Sequence, residues 1–151
     1  MNLKVIEIEK ILSRYGAFAR PFINWILEGK IDSSWRHYFT ALRHMWKMEH
    51  ESALREGELG LKRCGKDAAL KYLLLTEKLS LFRRLGKLKE GDLLYEKLMG
   101  EWRQIPKEVR KDVATVLLNY PALKNGGKEV KGTRIWSKSQ IPPNVDTFWR
   151  H

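Results

Sequence analysis

Three basic side chains recur at helical spacing near residue 40. Arg36, Arg43 and Lys47 are separated by steps of seven and four residues, which places them on one face of an α-helix. Guanidinium and ammonium groups in such a row match the repeated negative charge of a phosphate backbone. The stripe predicts contacts to nucleic-acid phosphates, although a run of charge is also typical of an ordinary solvated helix face.

A second basic set follows the start of a later predicted helix. Lys107, Arg110 and Lys111 come just after Pro106, a residue type favoured in the first turn of a helix. Cations are slightly unfavourable there because the helix dipole is positive at its N-terminus. The dipole therefore does not explain Lys107 and Lys111, and we interpret this set as part of the phosphate-binding surface.

The C-terminal segment combines cations with aromatic residues. Lys128, Lys131 and Arg134 lie close in sequence to Trp136. Cations guide a phosphate backbone, and an exposed aromatic ring stacks on a base, so the segment suits single-stranded nucleic acid. The alternative is that Trp136 and its apolar neighbours anchor the segment on the rest of the chain or on a second subunit.

One glycine-rich stretch has the spacing of a phosphate-binding loop. Residues 60–66 fit the pattern Gly-x4-Gly-Lys, in which backbone N–H groups surround phosphates and the lysine reaches them. Asp67 follows where that loop needs a hydroxyl residue for magnesium, and the preceding residues have the polarity of a helix and not of a buried strand. We interpret the stretch as a turn between two helices.

Arg43 is followed after six intervening residues by His50. The pair resembles the Arg-x4–6-His signature of HEPN-family ribonucleases, small helical domains that cleave RNA, usually as dimers. The resemblance implies that His50 acts as an acid or base and that Arg43 holds a phosphate. From the residues alone, both side chains can equally lie on a polar surface with no catalytic role.

No other constellation predicts an enzyme, a metal site or a cofactor. His37, His44 and His50 are separated by seven and six residues, and Cys64 is the only cysteine, so no pair has the spacing of metal ligands. A disulfide within one chain is excluded for the same reason. We expect no metal, no cofactor and no catalytic residue, and we favour a protein that is not an enzyme.

The predicted elements that position these residues are helices. Apolar residues recur at steps of three and four in most of the chain, in residues 3–15, 21–29, 33–46, 68–85, 92–102 and 106–119. Residues 68–85 are apolar over most of the helix circumference, which predicts a buried central helix. Asp67 and Asp92 are predicted N-caps, and the Tyr120-Pro121 pair is the predicted end of the last helix.

Small residues occupy the segment between the third helix and the central one. Ala53, Gly57 and Gly60 lie at steps of four and three residues. They either let another helix approach closely or break the helix that contains them. We therefore predict an all-α bundle of about six helices in residues 1–120 and an irregular, basic C-terminal extension in residues 121–151.

Composition sets the broad class. The chain has 151 residues, 29 Lys and Arg against 18 Asp and Glu, a formal net charge of +11, and 43% hydrophobic residues. This length and apolar content fit one domain with a real core and exclude wholesale disorder. No run approaches the ~20 apolar residues of a spanning helix, so we expect a cytoplasmic protein without a membrane partner.

The positive charge and its distribution favour non-catalytic binding of nucleic acid, DNA or RNA. The ten residues predicted to bind are Arg36, Arg43, Lys47, Lys107, Arg110, Lys111, Lys128, Lys131, Arg134 and Trp136. The first alternative is a helical adaptor that self-associates or binds other proteins through its tryptophans and its small-residue face. The second alternative is the HEPN-like ribonuclease.

Overall fold

The structure, a computed structural model, describes residues 7, 8, 10, 20–29 and 33–124. Within these residues the chain is helical and contains no strand, which confirms the predicted all-α class. The helices are α1 (Arg20–Glu28), α2 (Ser33–Trp46), α3 (His50–Arg63), α4 (Ala68–Arg84), α5 (Leu88–Gly100) and α6 (Lys107–Lys124), with a 3-10 turn at Trp102–Gln104. Of the predicted first helix, residues 7, 8 and 10 are described; they are helical, and Ile8 is buried.

Helix α4 is the centre of the bundle, as its apolar circumference predicts. It packs against α2, α3, α5 and α6, and Leu70, Leu74 and Leu79 are fully buried along it. Asp67 caps its start by accepting a hydrogen bond from the backbone N–H of Leu70 at 3.1 Å. Burial of each such leucine contributes roughly 1.5–3 kcal/mol, so the central helix supplies much of the hydrophobic stabilisation.

Helices α2 and α3 form an antiparallel pair that packs on α4. The glycines of α3 do not break it, because the helix continues through both Gly57 and Gly60. A Cβ atom at Gly60 would lie 3.0 Å from Leu74 Cδ1 and 3.1 Å from His37 Cβ. Gly60 therefore allows close packing within this chain, which is one of the two predicted readings, whereas a Cβ atom at Gly57 would meet nothing within 4 Å.

A tight turn separates α2 from α3. Met48 has a φ of 64°, a left-handed conformation that side chains other than glycine rarely adopt. The His44 imidazole hydrogen-bonds Glu49 across the turn at 2.9 Å and holds the pKa of that carboxyl below its usual value. The segment around Met48 has no glycine or proline, so the turn lacks the residue types that usually mark one.

Helix α5 begins earlier than predicted. The helix starts at Leu88, so the expected N-cap at Asp92 is wrong. Asp92 instead lies inside the helix and accepts a hydrogen bond from the Tyr120 hydroxyl at 3.0 Å. Asp92 accepts a hydrogen bond in the observed structure, as it would at an N-cap. The observed donor, however, is the hydroxyl of a residue distant in sequence, and helix-capping rules consider only nearby backbone N–H groups.

The predicted end of the last helix is also wrong. Helix α6 continues through Tyr120 and Pro121 to Lys124. The buried Tyr120 ring stacks on Tyr95 with 5.2 Å between ring centroids, and these contacts hold its turn in the helix. Tertiary packing therefore overrides the local preference of a residue before proline. The remainder of the predicted extension lies outside the described residues.

The close approach of α5 and α6 generates a first prediction. A Cβ atom at Gly91 would overlap the Tyr120 hydroxyl, so Gly91→Ala must displace the hydroxyl from Asp92. We expect this substitution to lower the free energy of unfolding by about 1–3 kcal/mol in urea titrations. Gly100→Ala is the matched control on the same helix, because its added Cβ meets no atom within 4 Å. Equal losses for the two variants would contradict the proposed overlap.

Candidate nucleic-acid interface

An open cleft of about 350 Å³ lies between α1 and α2. Each helix contributes three residues: Asn24, Leu27 and Glu28 within about one turn of α1, and Arg36, Thr40 and Arg43 at steps of four and three residues along α2. Ile23 and Ile26 on the other side of α1 are buried in the core and hold the helix against the bundle. The cleft therefore contains two of the residues predicted to contact phosphate, together with further polar groups.

Arg36 connects the two helices that line the cleft. Its Nη1 donates to the Leu27 carbonyl oxygen, and its Nη2 donates to the Gly29 carbonyl oxygen at 2.7 Å. Carbonyls at the end of a helix have no intrahelical donor, so the guanidinium caps the C-terminus of α1. The same contacts hold Arg36 in one conformation at the edge of the cleft.

Arg43 has fewer structural contacts than Arg36. Its Nη1 lies 3.4 Å from Asn24 Oδ1, which is a long hydrogen bond at an exposed position. An arginine has five N–H donors in a planar fork, so most of the donors of Arg43 remain available to a ligand in the cleft. Lys47 follows the last residue of α2 and is exposed one turn beyond Arg43. The structure thus brings the first predicted basic set to one side of α2.

Glu28 is an unexpected member of the cleft. It is the last residue of α1 and is exposed. A negative charge is unfavourable at a helix C-terminus because the helix dipole is negative there. Among the described residues, no arginine, lysine or histidine nitrogen lies within 4.0 Å of its carboxylate, although two arginines line the same cleft. Helical spacing links it to Asn24, but no sequence signal marked it as functional.

The second basic set lies on a different part of the bundle. Arg110 donates from Nε to the Ile105 carbonyl oxygen at 2.8 Å, and its guanidinium lies 5.8 Å from the Trp102 ring centroid. Arg110 therefore braces the turn that precedes α6. Lys107 and Lys111 are exposed on α6, which packs on α4 and α5. The predicted binding residues of the C-terminal segment, Lys128, Lys131, Arg134 and Trp136, lie outside the described residues.

The Arg43 and His50 pair of the HEPN resemblance is split across the turn after α2. Arg43 faces Asn24 at the α1–α2 cleft, whereas His50 is the first residue of α3 and does not line that cleft. Within the described part of the chain, the His50 Nδ1 atom is buried and has no hydrogen-bond partner. Among the described residues, no histidine lines the cleft that contains Arg43.

A histidine-centred cluster links α2 to α3. His37 Nδ1 lies 2.8 Å from Glu56 Oε2, and its Nε2 lies 3.0 Å from Arg63 Nη1. A carboxylate only accepts hydrogen bonds and a guanidinium only donates them, so the neutral imidazole carries its proton on Nδ1. Sequence reasoning assigned no role to this cluster because its members are 19 and 26 residues from His37. Both ring nitrogens have partners, and the cluster connects the two helices.

The described residues offer no group of three histidine, cysteine, aspartate or glutamate side chains that could hold a metal ion. None of the described helices is long and apolar enough to cross a membrane. Comparison with protein families, curated proteins and solved structures finds no match to this chain. Function must therefore be inferred from the chemistry of the site itself.

The two arginines of the cleft should differ in their effect on stability. Arg36→Met removes the donors that cap α1, so we expect the free energy of unfolding to fall by about 1.5–3 kcal/mol. Arg43→Met removes one long and exposed hydrogen bond, so the expected loss is below about 0.5 kcal/mol. Urea unfolding of both variants measures the difference. A loss for Arg43→Met as large as that for Arg36→Met would show that Arg43 is also a structural residue.

Proposed function

We propose that the chain is a non-catalytic nucleic-acid-binding protein that contacts phosphates at the α1–α2 cleft and at Lys47. The observation that carries the proposal is the joint position of Arg36 and Arg43, which helical spacing groups together and which line one open cleft. Guanidinium groups bind phosphate oxygens through parallel, charge-assisted hydrogen bonds. This cleft is therefore suited to a phosphate group of a polyanion.

The different hydrogen-bond contacts of Arg36 and Arg43 support this proposal. Arg36 is already ordered by the carbonyls of α1, so its placement costs little conformational entropy when a ligand binds. Arg43 keeps most of its donors and lies across the cleft from Asn24. A phosphate between them would meet one pre-ordered and one available guanidinium.

Charge outside the cleft extends the proposed contact. Lys47 is exposed beside Arg43, and the chain as a whole carries a formal charge of +11. Such an excess attracts a polyanion over a distance comparable to the Debye length and raises the rate of encounter. Lys107 and Lys111 on α6, together with the basic residues after residue 124, are proposed secondary contacts for a longer strand.

The alternative functions receive less support from the described residues. The small-residue face proposed for self-association is buried within the chain, because Ala53 is fully enclosed and Gly60 contacts Leu74 and His37. This face therefore offers no argument for an oligomer. The HEPN-like ribonuclease hypothesis assigns the role of acid or base to His50, and His50 does not line the cleft.

The salt dependence of binding tests the proposed function. The affinity for a labelled single strand should fall steeply as the salt concentration rises. Arg43→Ala combined with Lys47→Ala should lower the slope of log Kd against log salt by roughly 1.4, which corresponds to two phosphate contacts. Fluorescence anisotropy at several salt concentrations gives the slope directly.

A charge-matched double variant is the control for this experiment. Lys89→Ala combined with Lys97→Ala removes two exposed cations from α5, away from the cleft, and should leave the slope almost unchanged. Equal slope changes in the two double variants would mean that binding follows net charge and not the cleft. Absence of salt-sensitive binding by the unmodified protein would refute the proposed function.

A further inference from the structure

Glu28 places a negative charge in the cleft that is proposed to bind phosphate. Glu28 repels a phosphate, and its position at the end of α1 is opposed by the helix dipole. No ion pair with Arg36 or Arg43 offsets these costs among the described residues. A local rule that is broken without a compensating contact in the fold is typical of a residue that serves a ligand.

The chemistry of a carboxylate limits what Glu28 can bind. An ionised carboxylate accepts hydrogen bonds and donates none, so its ligand must present a donor. The same cleft holds two guanidinium groups, so the ligand must also present an anion. A ribonucleotide meets both requirements, because its 2′-hydroxyl is a donor that lies next to the 3′-phosphate in the chain.

We propose that the α1–α2 cleft recognises RNA, with Arg43 binding a phosphate and Glu28 accepting a hydrogen bond from the adjacent ribose 2′-hydroxyl. This inference rests on the proposed function and adds a preference for RNA over DNA. The 2′-hydroxyl is the group by which a protein distinguishes the two. The sugar of a deoxyribonucleotide offers no donor at this position, so its phosphate would meet the repulsion of Glu28 without the compensating hydrogen bond.

The remaining polar residues of the cleft are compatible with this arrangement. Asn24 supplies an amide group and Thr40 supplies a hydroxyl, both of which can donate to or accept from a nucleotide. Their positions one turn from Glu28 and Arg43, respectively, place them within the same cleft. Its volume of about 350 Å³ falls within the range of small-molecule sites and leaves room for one nucleotide.

The ratio of RNA affinity to DNA affinity tests the proposal. The probes are a labelled single-stranded RNA, the DNA of the same sequence, and the RNA with 2′-O-methyl groups in place of its hydroxyls. We expect the unmodified protein to bind the RNA about tenfold more tightly than the DNA, which is the typical effect of one hydrogen bond to a charged group. The 2′-O-methyl RNA, which lacks the donor, should bind no more tightly than the DNA.

Glu28→Gln separates the proposed contact from general electrostatics. The amide oxygen of glutamine accepts a weaker hydrogen bond than a carboxylate does, and the neutral side chain no longer repels phosphate. DNA binding should therefore strengthen more than RNA binding, and the affinity ratio should fall towards one. Glu96→Gln removes the same charge from an exposed position on α5 and should leave the ratio unchanged. Glu28 is exposed at a helix end, so the fold should tolerate its substitution, and thermal unfolding of the variant checks this directly.

Each outcome has a distinct meaning. A ratio near one for the unmodified protein, or a ratio that Glu28→Gln does not change, overturns the preference for RNA. If both strands still bind with a salt slope that depends on Arg43 and Lys47, the proposed function survives that result. If neither strand binds in a salt-dependent way, the proposed function and the RNA preference both fail.

Discussion

Asp67 determines how two helices are placed relative to each other. One carboxylate oxygen accepts a hydrogen bond from the Leu70 backbone N–H and so caps α4, and the other accepts one from Trp35 Nε1 of α2 at 2.9 Å. The single side chain therefore links the start of the central helix to the first turn of the helix that carries the candidate cleft. Helix α4 contacts α2, α3, α5 and α6 and so forms the centre of the core. The position of α2 against α4 therefore sets where Arg36 and Arg43 lie relative to the core.

The cleft follows from how α2 distributes its faces. One face packs on α3 through small residues, and His37 binds Glu56 and Arg63 at that contact. Phe39 lies in the core, and the remaining face is turned towards α1. Arg36 on this face donates to the Leu27 and Gly29 carbonyl oxygens at the end of α1, and it lines the cleft between the two helices together with Arg43. The same helix, α2, thus packs tightly on α3 and α4 and forms one side of the open cleft with α1.

Local signals predicted the features that depend on few residues. The Asp67 cap, the central position of α4 and the grouping of Arg36 with Arg43 all follow from spacing within one helix. Features that depend on a distant partner were missed or were wrong, such as the role of Asp92 and the continuation of α6 past Tyr120. Their hydrogen-bond donors and stacking partners are separated from them by many residues, and no helical period encodes that separation.

The charge of the cleft differs from the net charge of the whole chain. Arg36 and Arg43 bring two positive charges, while Glu28 and the negative end of the α1 dipole bring about one and a half negative charges. The net charge of the cleft itself is therefore only about +0.5, and in the proposed function the excess that attracts a polyanion comes mainly from Lys47 and the rest of the chain. In this proposal the net charge of the chain attracts a polyanion from a distance, whereas the residues of the cleft recognise groups of the ligand at close range. A ligand that offers only phosphate would gain the long-range attraction and would form no hydrogen bond with Glu28. In the proposed RNA site, selectivity comes from the hydrogen-bond donor by which ribose differs from deoxyribose.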